Sequence, residues 1–168
     1  MTVVRPQPPV TGSEREMLRG FLDYHRATLA LKCDGLSDEE LRRQSMPPST
    51  LSLLGLVRHM AEVERAWFRR VFDDNDAPMV WSDTVDFQAA YDASRSTRSE
   101  AFTAWQAEVE NSRRIEREAG SLDLSGRQPR WEEDVSLRMV MLHILLEYGR
   151  HNGHADFLRE AVDGTVGA

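Results

Sequence analysis

Apolar side chains recur every three or four residues along four long stretches of the chain. This spacing places them on one side of an α-helix, so it predicts four amphipathic helices over residues 14–31, 51–72, 86–117 and 136–162. Ser13 precedes the first stretch and Ser136 opens the last, and serine is a favoured helix N-cap. The pattern is typical of an all-α protein built as a four-helix bundle.

The segments between these helices contain residues that interrupt regular structure. Pro6, Pro8 and Pro9 predict an extended or poorly ordered lead-in over residues 1–12. Ser37 and Glu40 have the spacing of a capping box, which predicts a short helical turn. Residues 120–134 look like a crossover loop with room for a short strand. We therefore expect one domain over residues 1–168, a bundle whose connections are long.

The third predicted helix has a weak point. Tyr91 and Ala101 belong to its apolar face, but Ser94 and Arg98 occupy the inward positions between them. Polar side chains seldom face a core without partners. We expect either a cavity or a local irregularity at this place.

The last helix carries titratable groups on the side that should face the core. His143, Glu147, His151 and His154 are spaced by four, four and three residues. At about 100° per residue they fall within an arc of about 80°. The apolar face of a helix rarely contains so many titratable groups unless something inside the protein satisfies them. A metal ion is the simplest candidate.

A second helix can complete such a site. Glu147 and His151, one turn apart, point to the same side of an ion, and His59 is the inward-facing histidine of the second predicted helix. Two histidines and one glutamate leave a coordination position open for water or substrate, as in catalytic sites. Alternatively, these are core histidines bonded to the backbone or to Glu147. His143 is expected beside the ligands or in the core.

His154 has several interpretations. It can be a further metal ligand, a partner that fixes the tautomer of His151, or a carrier of protons. We rank a supporting or substrate-contacting role first and name His154 as the candidate catalytic residue. Arg150, beside His151, can bind an anionic substrate or form a surface ion pair.

Other chemically interesting side chains have simpler readings. Glu62 and Glu64 are expected to be solvated. Cys33, the only cysteine, has no evident activating partner and is a poor candidate nucleophile. Four aromatic residues are assigned to the core, although one of them can line a pocket: Trp67, Tyr91, Phe102 and Trp105.

Charge and composition narrow the classes of function. The net charge of −7 argues against nucleic-acid binding as the main activity. We find neither a secretory signal nor an apolar run long enough to span a membrane. A single cysteine excludes an intrachain disulfide and suits a reducing compartment, so we expect a cytoplasmic location. The oligomeric state stays open, with a homodimer through an exposed helix face as one outcome.

Two sequence blocks resemble a known superfamily. LSLLGLVRHMAEVERAWF, from Leu51 to Phe68, and EYGRHNGHADFLR, from Glu147 to Arg159, are together similar to the DinB-like superfamily. The resemblance is strongest to an actinobacterial branch related to mycothiol-dependent maleylpyruvate isomerases. It implies an antiparallel four-helix bundle with long crossovers and a divalent metal. It also implies His59, Glu147 and His151 as ligands, although Glu147 replaces the first histidine of the usual pair and His154 stands where many relatives have glutamine.

The resemblance further implies an enzyme that uses a low-molecular-weight thiol, such as mycothiol or bacillithiol. The expected reaction is S-transfer to, or isomerisation of, a small electrophile. Zinc suits the ligand set best, with nickel, iron or manganese compatible with the same residues. Two alternatives stay open: a metal-dependent hydrolase, and a non-catalytic metal-binding stress protein.

Overall fold

The structure is a computed structural model that describes residues 4–167. Residues 1–3 of the expected lead-in lie outside the described part, and residues 4–12 contain neither helix nor strand. The regular elements follow in chain order: α1 (Glu14–Lys32), α2 (Asp38–Arg42), α3 (Leu53–Glu64), a π-helical turn (Arg65–Arg69), α4 (Arg70–Phe72), a 3₁₀ helix (Phe87–Tyr91), α5 (Arg98–Glu118), β1 (Ser125–Gln128), β2 (Glu133–Ser136) and α6 (Leu137–Asp163).

Side-chain caps fix where the helices begin. Ser13 and Ser37 each accept a hydrogen bond from the backbone three residues on, and the glutamate there bonds back to the serine N–H, so both form capping boxes. Ser52 caps α3 and Ser136 caps α6 in the simpler form. α6 ends at Gly164, whose φ of 78° is a left-handed conformation that glycine adopts without strain.

The helix directions follow from the side chains that meet. α1 and α6 are parallel, because Glu14 pairs with Arg138 near their starts and Lys32 with Asp156 towards their ends. α3 is antiparallel to α6. His59 lies beside His151, whereas Glu64, which comes later on α3, lies beside Tyr148, which comes earlier on α6. The two helices that carry the candidate ligands, α3 and α6, are therefore antiparallel.

α5 also runs against α1, because Arg15 in the first turn of α1 bonds to Glu116 near the end of α5. The long helices α3 and α5 are therefore parallel. This requires the crossover of residues 73–97 to return along the bundle to the end at which α3 begins. The predicted fold class, an all-α four-helix bundle with long crossovers, is confirmed.

The predicted third helix was too long. Residues 86–91 form a capped 3₁₀ helix instead, and α5 begins only at Arg98 after the Thr97 cap. Arg58 holds the 3₁₀ segment against α3 by donating to the carbonyl oxygens of Ala89 and Ala90. The polar stretch between Tyr91 and Ala101 is thus a break between two helices, and the expected local irregularity is confirmed.

The second predicted helix is interrupted after Glu64. The N–H of Arg70 bonds to the carbonyl of Arg65, which is the wider spacing of a π-helix. Ala66 and Trp67, within this turn, contribute to the wall of a cavity described below. π-Helical turns inside α-helices occur frequently at functional sites.

The expected short strand is a two-stranded antiparallel hairpin. β1 pairs with β2, with Gly126 opposite Val135. A Cβ at Gly126 would lie 2.4 Å from the carbonyl oxygen of Val71, so only glycine lets the hairpin approach α4 this closely. This packing carries the turn between the strands towards α3 and α6.

The core is made of aliphatic side chains between the four long helices, with Leu54, Met60 and Ile144 fully enclosed. Two acidic residues were wrongly predicted to be solvated: Glu62 is 1% exposed and Glu64 is 0% exposed. Glu64 bonds to Arg26 and Tyr148, which compensate for the loss of water. Glu62 accepts from the N–H groups of Val80 and Trp81 through Oε2 only, and burial raises the pKa of its carboxyl. Within residues 4–167, no helix combines the length and the apolar character needed to cross a membrane.

Candidate metal centre

Three side chains from two antiparallel helices meet in the bundle. His59 comes from α3, and Glu147 and His151 lie one turn apart on α6. His151 Nε2 is 3.4 Å and His59 Nε2 is 3.8 Å from Glu147 Oε2, and one ligand atom from each residue lies within 4.8 Å of the others. A tetrahedral ion about 2.1 Å from its ligands would separate them by about 3.4 Å. The observed spacing suits one ion.

The surroundings of His59 favour the same use. The residue is buried, neither ring nitrogen has a hydrogen-bond partner, and the ring stacks on Tyr91 at a centroid distance of 4.4 Å. An unsatisfied buried polar atom costs about 1–3 kcal/mol. Burial also lowers the pKa of His59, which keeps the imidazole in the neutral, ligating form at pH 7.

Glu147 remains ionised in this setting. The imidazoles of His151 and His59 hold the pKa of its carboxyl well below the usual range, and they outweigh the opposing effect of burial. The 3.8 Å separation between His59 Nε2 and Glu147 Oε2 is too long for an ordinary hydrogen bond, so this contact is electrostatic. Neutral histidine nitrogens with a carboxylate oxygen form a donor set that zinc and several other divalent ions accept. Within residues 4–167, this is the one His/Glu/Asp/Cys group with such geometry.

The two remaining histidines of α6 lie on either side of this cluster. His143 Nε2 is 3.6 Å from Glu147 Oε1, and its ring packs against Trp67 at 4.0 Å between centroids. His154 Nδ1 is 3.3 Å from His151 Nδ1. His143 therefore borders the carboxylate, as the sequence predicted for a neighbour of the ligands, while His154 contacts the opposite end of the His151 ring.

A cavity of about 430 Å³ opens beside the three side chains, a size suited to a small molecule. Its walls come from α3, the π turn, the 3₁₀ helix, the hairpin turn and α6. Arg130 and Arg150 are the arginines of this wall. Aromatic rings form much of the rest: Trp67, Phe87, Tyr91 and Trp131. Of the aromatics assigned to the core, Trp67 and Tyr91 thus line the pocket.

Sequence reasoning missed part of this wall. Gln128, Arg130 and Trp131 lie in the segment predicted as a loop, so no helical spacing linked them to the metal cluster. Phe87 was placed in the third predicted helix, which gave no reason to assign it to the cavity wall. The available signal was Trp131 itself, a large aromatic residue in a polar turn, which is 43% exposed.

Cys33 is buried and unreactive. Burial raises the pKa of its thiol to about 12, despite the nearby charges of Arg98 and Arg159. A thiol with this pKa is almost entirely protonated at pH 7 and is a weak nucleophile. Any sulfur chemistry at the cavity must therefore use sulfur from another molecule.

The bundle and the His-Glu-His cluster define an all-α protein with a candidate metal centre. The chain belongs to the mycothiol-S-transferase family of the DinB-like superfamily, and the family's model matches residues 17–164. The structure is also similar to the crystal structure of a conserved protein from Enterococcus faecalis, with a TM-score of 0.71 and 13% identity over 92% of this chain and 100% of that one. At this identity the likeness shows the fold alone. No curated protein matches the chain.

Proposed function

We propose that this protein is a metal-dependent transferase that joins a low-molecular-weight thiol of the mycothiol type to a small electrophile. The observation that carries the proposal is the meeting of His59, Glu147 and His151 in the wall of an aromatic cavity. Membership of the mycothiol-S-transferase family supports the same reaction class.

His59, Glu147 and His151 would hold the ion, with zinc as the preferred candidate. When bound, a divalent ion supplies positive charge that favours the thiolate form of a thiol or polarises an electrophile. The stack of Tyr91 on His59 fixes the plane of one ligand ring, and burial leaves His59 little freedom to turn. The protein thus provides a rigid set of ligands next to a cavity of a size suited to a small molecule.

The aromatic wall would keep water away from the reacting groups. Trp131 meets Trp67 edge to face at 4.7 Å between centroids, and Trp67 packs on His143. In the reaction, the thiol sulfur forms a bond to an electrophilic carbon and the thiol proton passes to solvent. The leaving group departs with the electron pair of the broken bond, so charge and atoms balance.

The catalytic role predicted for His154 stays a prediction, and its contacts favour a positioning role. When Nε2 of His151, which faces Glu147, binds the ion, Nδ1 carries the ring proton and donates to Nδ1 of His154, 3.3 Å away. Burial, with His151 and Arg150 nearby, lowers the pKa of His154 and keeps it neutral as the acceptor. Such a partner fixes both the tautomer and the orientation of a ligating histidine.

The test is conjugation of a chromogenic electrophile by purified protein, either loaded with zinc or stripped with a chelator. Mycothiol, bacillithiol and glutathione are each compared with a reaction that lacks thiol. We expect turnover only when zinc and a thiol are both present, with mycothiol preferred. The Cys33→Ala variant should keep this activity, because the buried cysteine does not supply the sulfur.

Each alternative has its own outcome in the same assay. Metal-dependent cleavage of an ester or amide without thiol would replace the transferase with a hydrolase. Zinc binding without turnover of any substrate would favour a non-catalytic metal-binding protein. The possible homodimer stays a prediction that size-exclusion chromatography with light scattering checks on the same preparation.

A further inference from the structure

The charges at the metal cavity suggest which kind of electrophile it accepts. Most arginines of the chain are committed to carboxylates or backbone carbonyl groups, as Arg26 is to Glu64 and Arg65 to Glu108. Arg130 and Arg150 are different. In the part of the chain that the structure describes, neither guanidinium has an ion-pair or hydrogen-bond partner, and both line the cavity beside His59, Glu147 and His151.

The balance of charge at this cavity is unusual for an acidic protein. The whole chain carries a net charge of −7, yet Glu147 is the only acidic side chain among the described residues that line the cavity. Its single negative charge would be offset by a bound divalent ion. Two exposed arginines then leave the cavity positive, and such a local charge attracts anions even when the protein as a whole repels them.

The residues around the arginines favour a flat, apolar partner next to the anion. Arg130 lies over the ring of Phe87 at 5.0 Å from its centroid, and within residues 4–167 its N–H groups have no hydrogen-bond acceptor. Trp67 and Trp131 form an edge-to-face pair in the same wall. Aromatic faces with guanidinium forks suit a planar substrate that bears a carboxylate.

We propose that Arg130 and Arg150 bind a carboxylate of the electrophile, while the planar apolar part of the same molecule lies against Trp67 and Trp131. The substrates are therefore unsaturated or aromatic acids. This inference rests on the proposed function, because it takes the cavity beside the metal ligands as the place where the electrophile binds. The arginines act in recognition, and the metal ligands remain responsible for the reaction.

The chain contains a matched control. Arg95 is also exposed and has no ion-pair or hydrogen-bond partner within residues 4–167. It lines a different cavity of about 490 Å³, which has Arg58 and Trp81 in its wall and no histidine. Arg95→Gln removes one positive charge, as the cavity variants do, but leaves the lining of the metal cavity unchanged. It therefore separates the effect of a charge at the cavity from the effect of the protein's net charge.

The experiment compares the binding of two electrophiles to the protein. Chlorodinitrobenzoate and its methyl ester share a planar electrophilic ring and differ in the carboxylate. Each is titrated calorimetrically into chelator-stripped protein, in which the carboxylate has no metal to bind. We expect the acid to bind at least tenfold more tightly than the ester. Arg150→Gln and Arg130→Gln should each abolish most of this preference, and Arg95→Gln should preserve it.

Three results would overturn the inference. One is equal binding of the acid and the ester. Another is equal weakening by Arg95→Gln and by the two cavity variants. The third would show that the arginine binds an anionic group of the thiol instead. In that case Arg150→Gln would weaken the binding of glutathione but not of its diester, and the binding of chlorodinitrobenzoate would be unchanged. Because binding is measured without metal or thiol, failure of thiol-dependent turnover would contradict the proposed function and leave the anion site standing.

Discussion

His59 is the member of the metal cluster with the fewest interactions of its own. Both ring nitrogens are buried without a hydrogen bond, and Tyr91 supports only the face of the ring. Glu147 has His143 and His151 around it, and His151 has His154. Removal of His59 should therefore affect the affinity for an ion more than the stability of the fold.

The first prediction concerns metal content. His59→Ala should lower the zinc content of the purified protein to a small fraction of one ion per chain, because two ligands on one helix cannot enclose the ion. His143→Ala is the matched variant, since His143 also lines the cavity and contacts Glu147. It should retain zinc. Plasma emission spectrometry of dialysed samples distinguishes the two, and full stoichiometry in His59→Ala would refute the site.

His154→Ala should behave differently from both variants. The metal stays bound, since His154 touches only the far side of His151, but turnover should fall by about tenfold. His154→Gln retains a side-chain acceptor for the His151 N–H, so it should recover much of the rate. Equal rates in His154→Ala and the unaltered protein would contradict a positioning role.

At the scale of elements, the 3₁₀ helix depends on a close approach to α3. A Cβ at Gly55 would lie 2.7 Å from the carbonyl oxygen of Tyr91, which is a backbone atom that cannot move alone. Arg58, one turn further along α3, donates to the carbonyl oxygens of Ala89 and Ala90. Gly55 and Arg58 together hold Tyr91 in the position where it stacks on His59.

Gly55→Ala should therefore disturb the metal site although residue 55 does not line the cavity. The added methyl group forces the segment of residues 87–91 outwards, at a cost of about 1–3 kcal/mol in the free energy of unfolding. Zinc affinity should fall together with stability, since Tyr91 moves away from His59. Denaturant unfolding and competitive zinc titration measure the two effects.

Gly153→Ala provides the control for this prediction. Gly153 lies in α6 with no atom within 4 Å of an added Cβ. Alanine at such a helical position should stabilise the protein by about 0.5–1 kcal/mol and leave zinc affinity unchanged. A Gly55→Ala variant that resembled Gly153→Ala would show that the 3₁₀ helix is not held by this contact.

Local spacing explains what the sequence could predict and what it could not. Glu147 and His151 share one helix, and an interval of four residues determines their common side before any tertiary packing is known. His59 was identified from its inward position on α3. Trp131 and Arg130 instead reach the cavity because Gly126 lets a hairpin pack on α4, which is a contact between segments far apart in sequence. No local pattern contains that information.

At the scale of the whole molecule, one buried network joins the four long helices. Arg26 of α1 binds Glu64 of α3 through two hydrogen bonds of 2.9 and 3.0 Å. Tyr148 of α6 donates to Glu64 at 2.8 Å and accepts from Trp105 of α5 at 2.8 Å. Glu64 was predicted to be solvated because its partners, Arg26 and Tyr148, come from two other helices, which sequence periodicity cannot bring together.

This network lies next to the metal ligands along both helices that supply them. Tyr148 directly follows Glu147, and Glu64 is five residues after His59, at the end of α3. The four side chains therefore fix how α3 and α6 are set against each other in the same region where their ligands meet. A buried, fully paired network of this kind is costly to break at one member.

The last prediction separates the pairing of these charges from the burial of their side chains. Arg26→Met leaves the carboxylate of Glu64, which is 0% exposed, without its cationic partner, and should destabilise the protein by about 3–5 kcal/mol. Arg26→Met combined with Glu64→Met removes both charges and keeps most of the side-chain volume. The double variant should therefore recover part of the lost stability. Tyr148 still accepts from Trp105, but its buried hydroxyl loses Glu64 as an acceptor, which costs about 1–3 kcal/mol. Urea unfolding of the single and double variants measures the coupling, and a double variant less stable than Arg26→Met alone would contradict this account. If the network also sets the spacing of α3 and α6, the double variant should remain folded yet bind zinc more weakly than the unaltered protein.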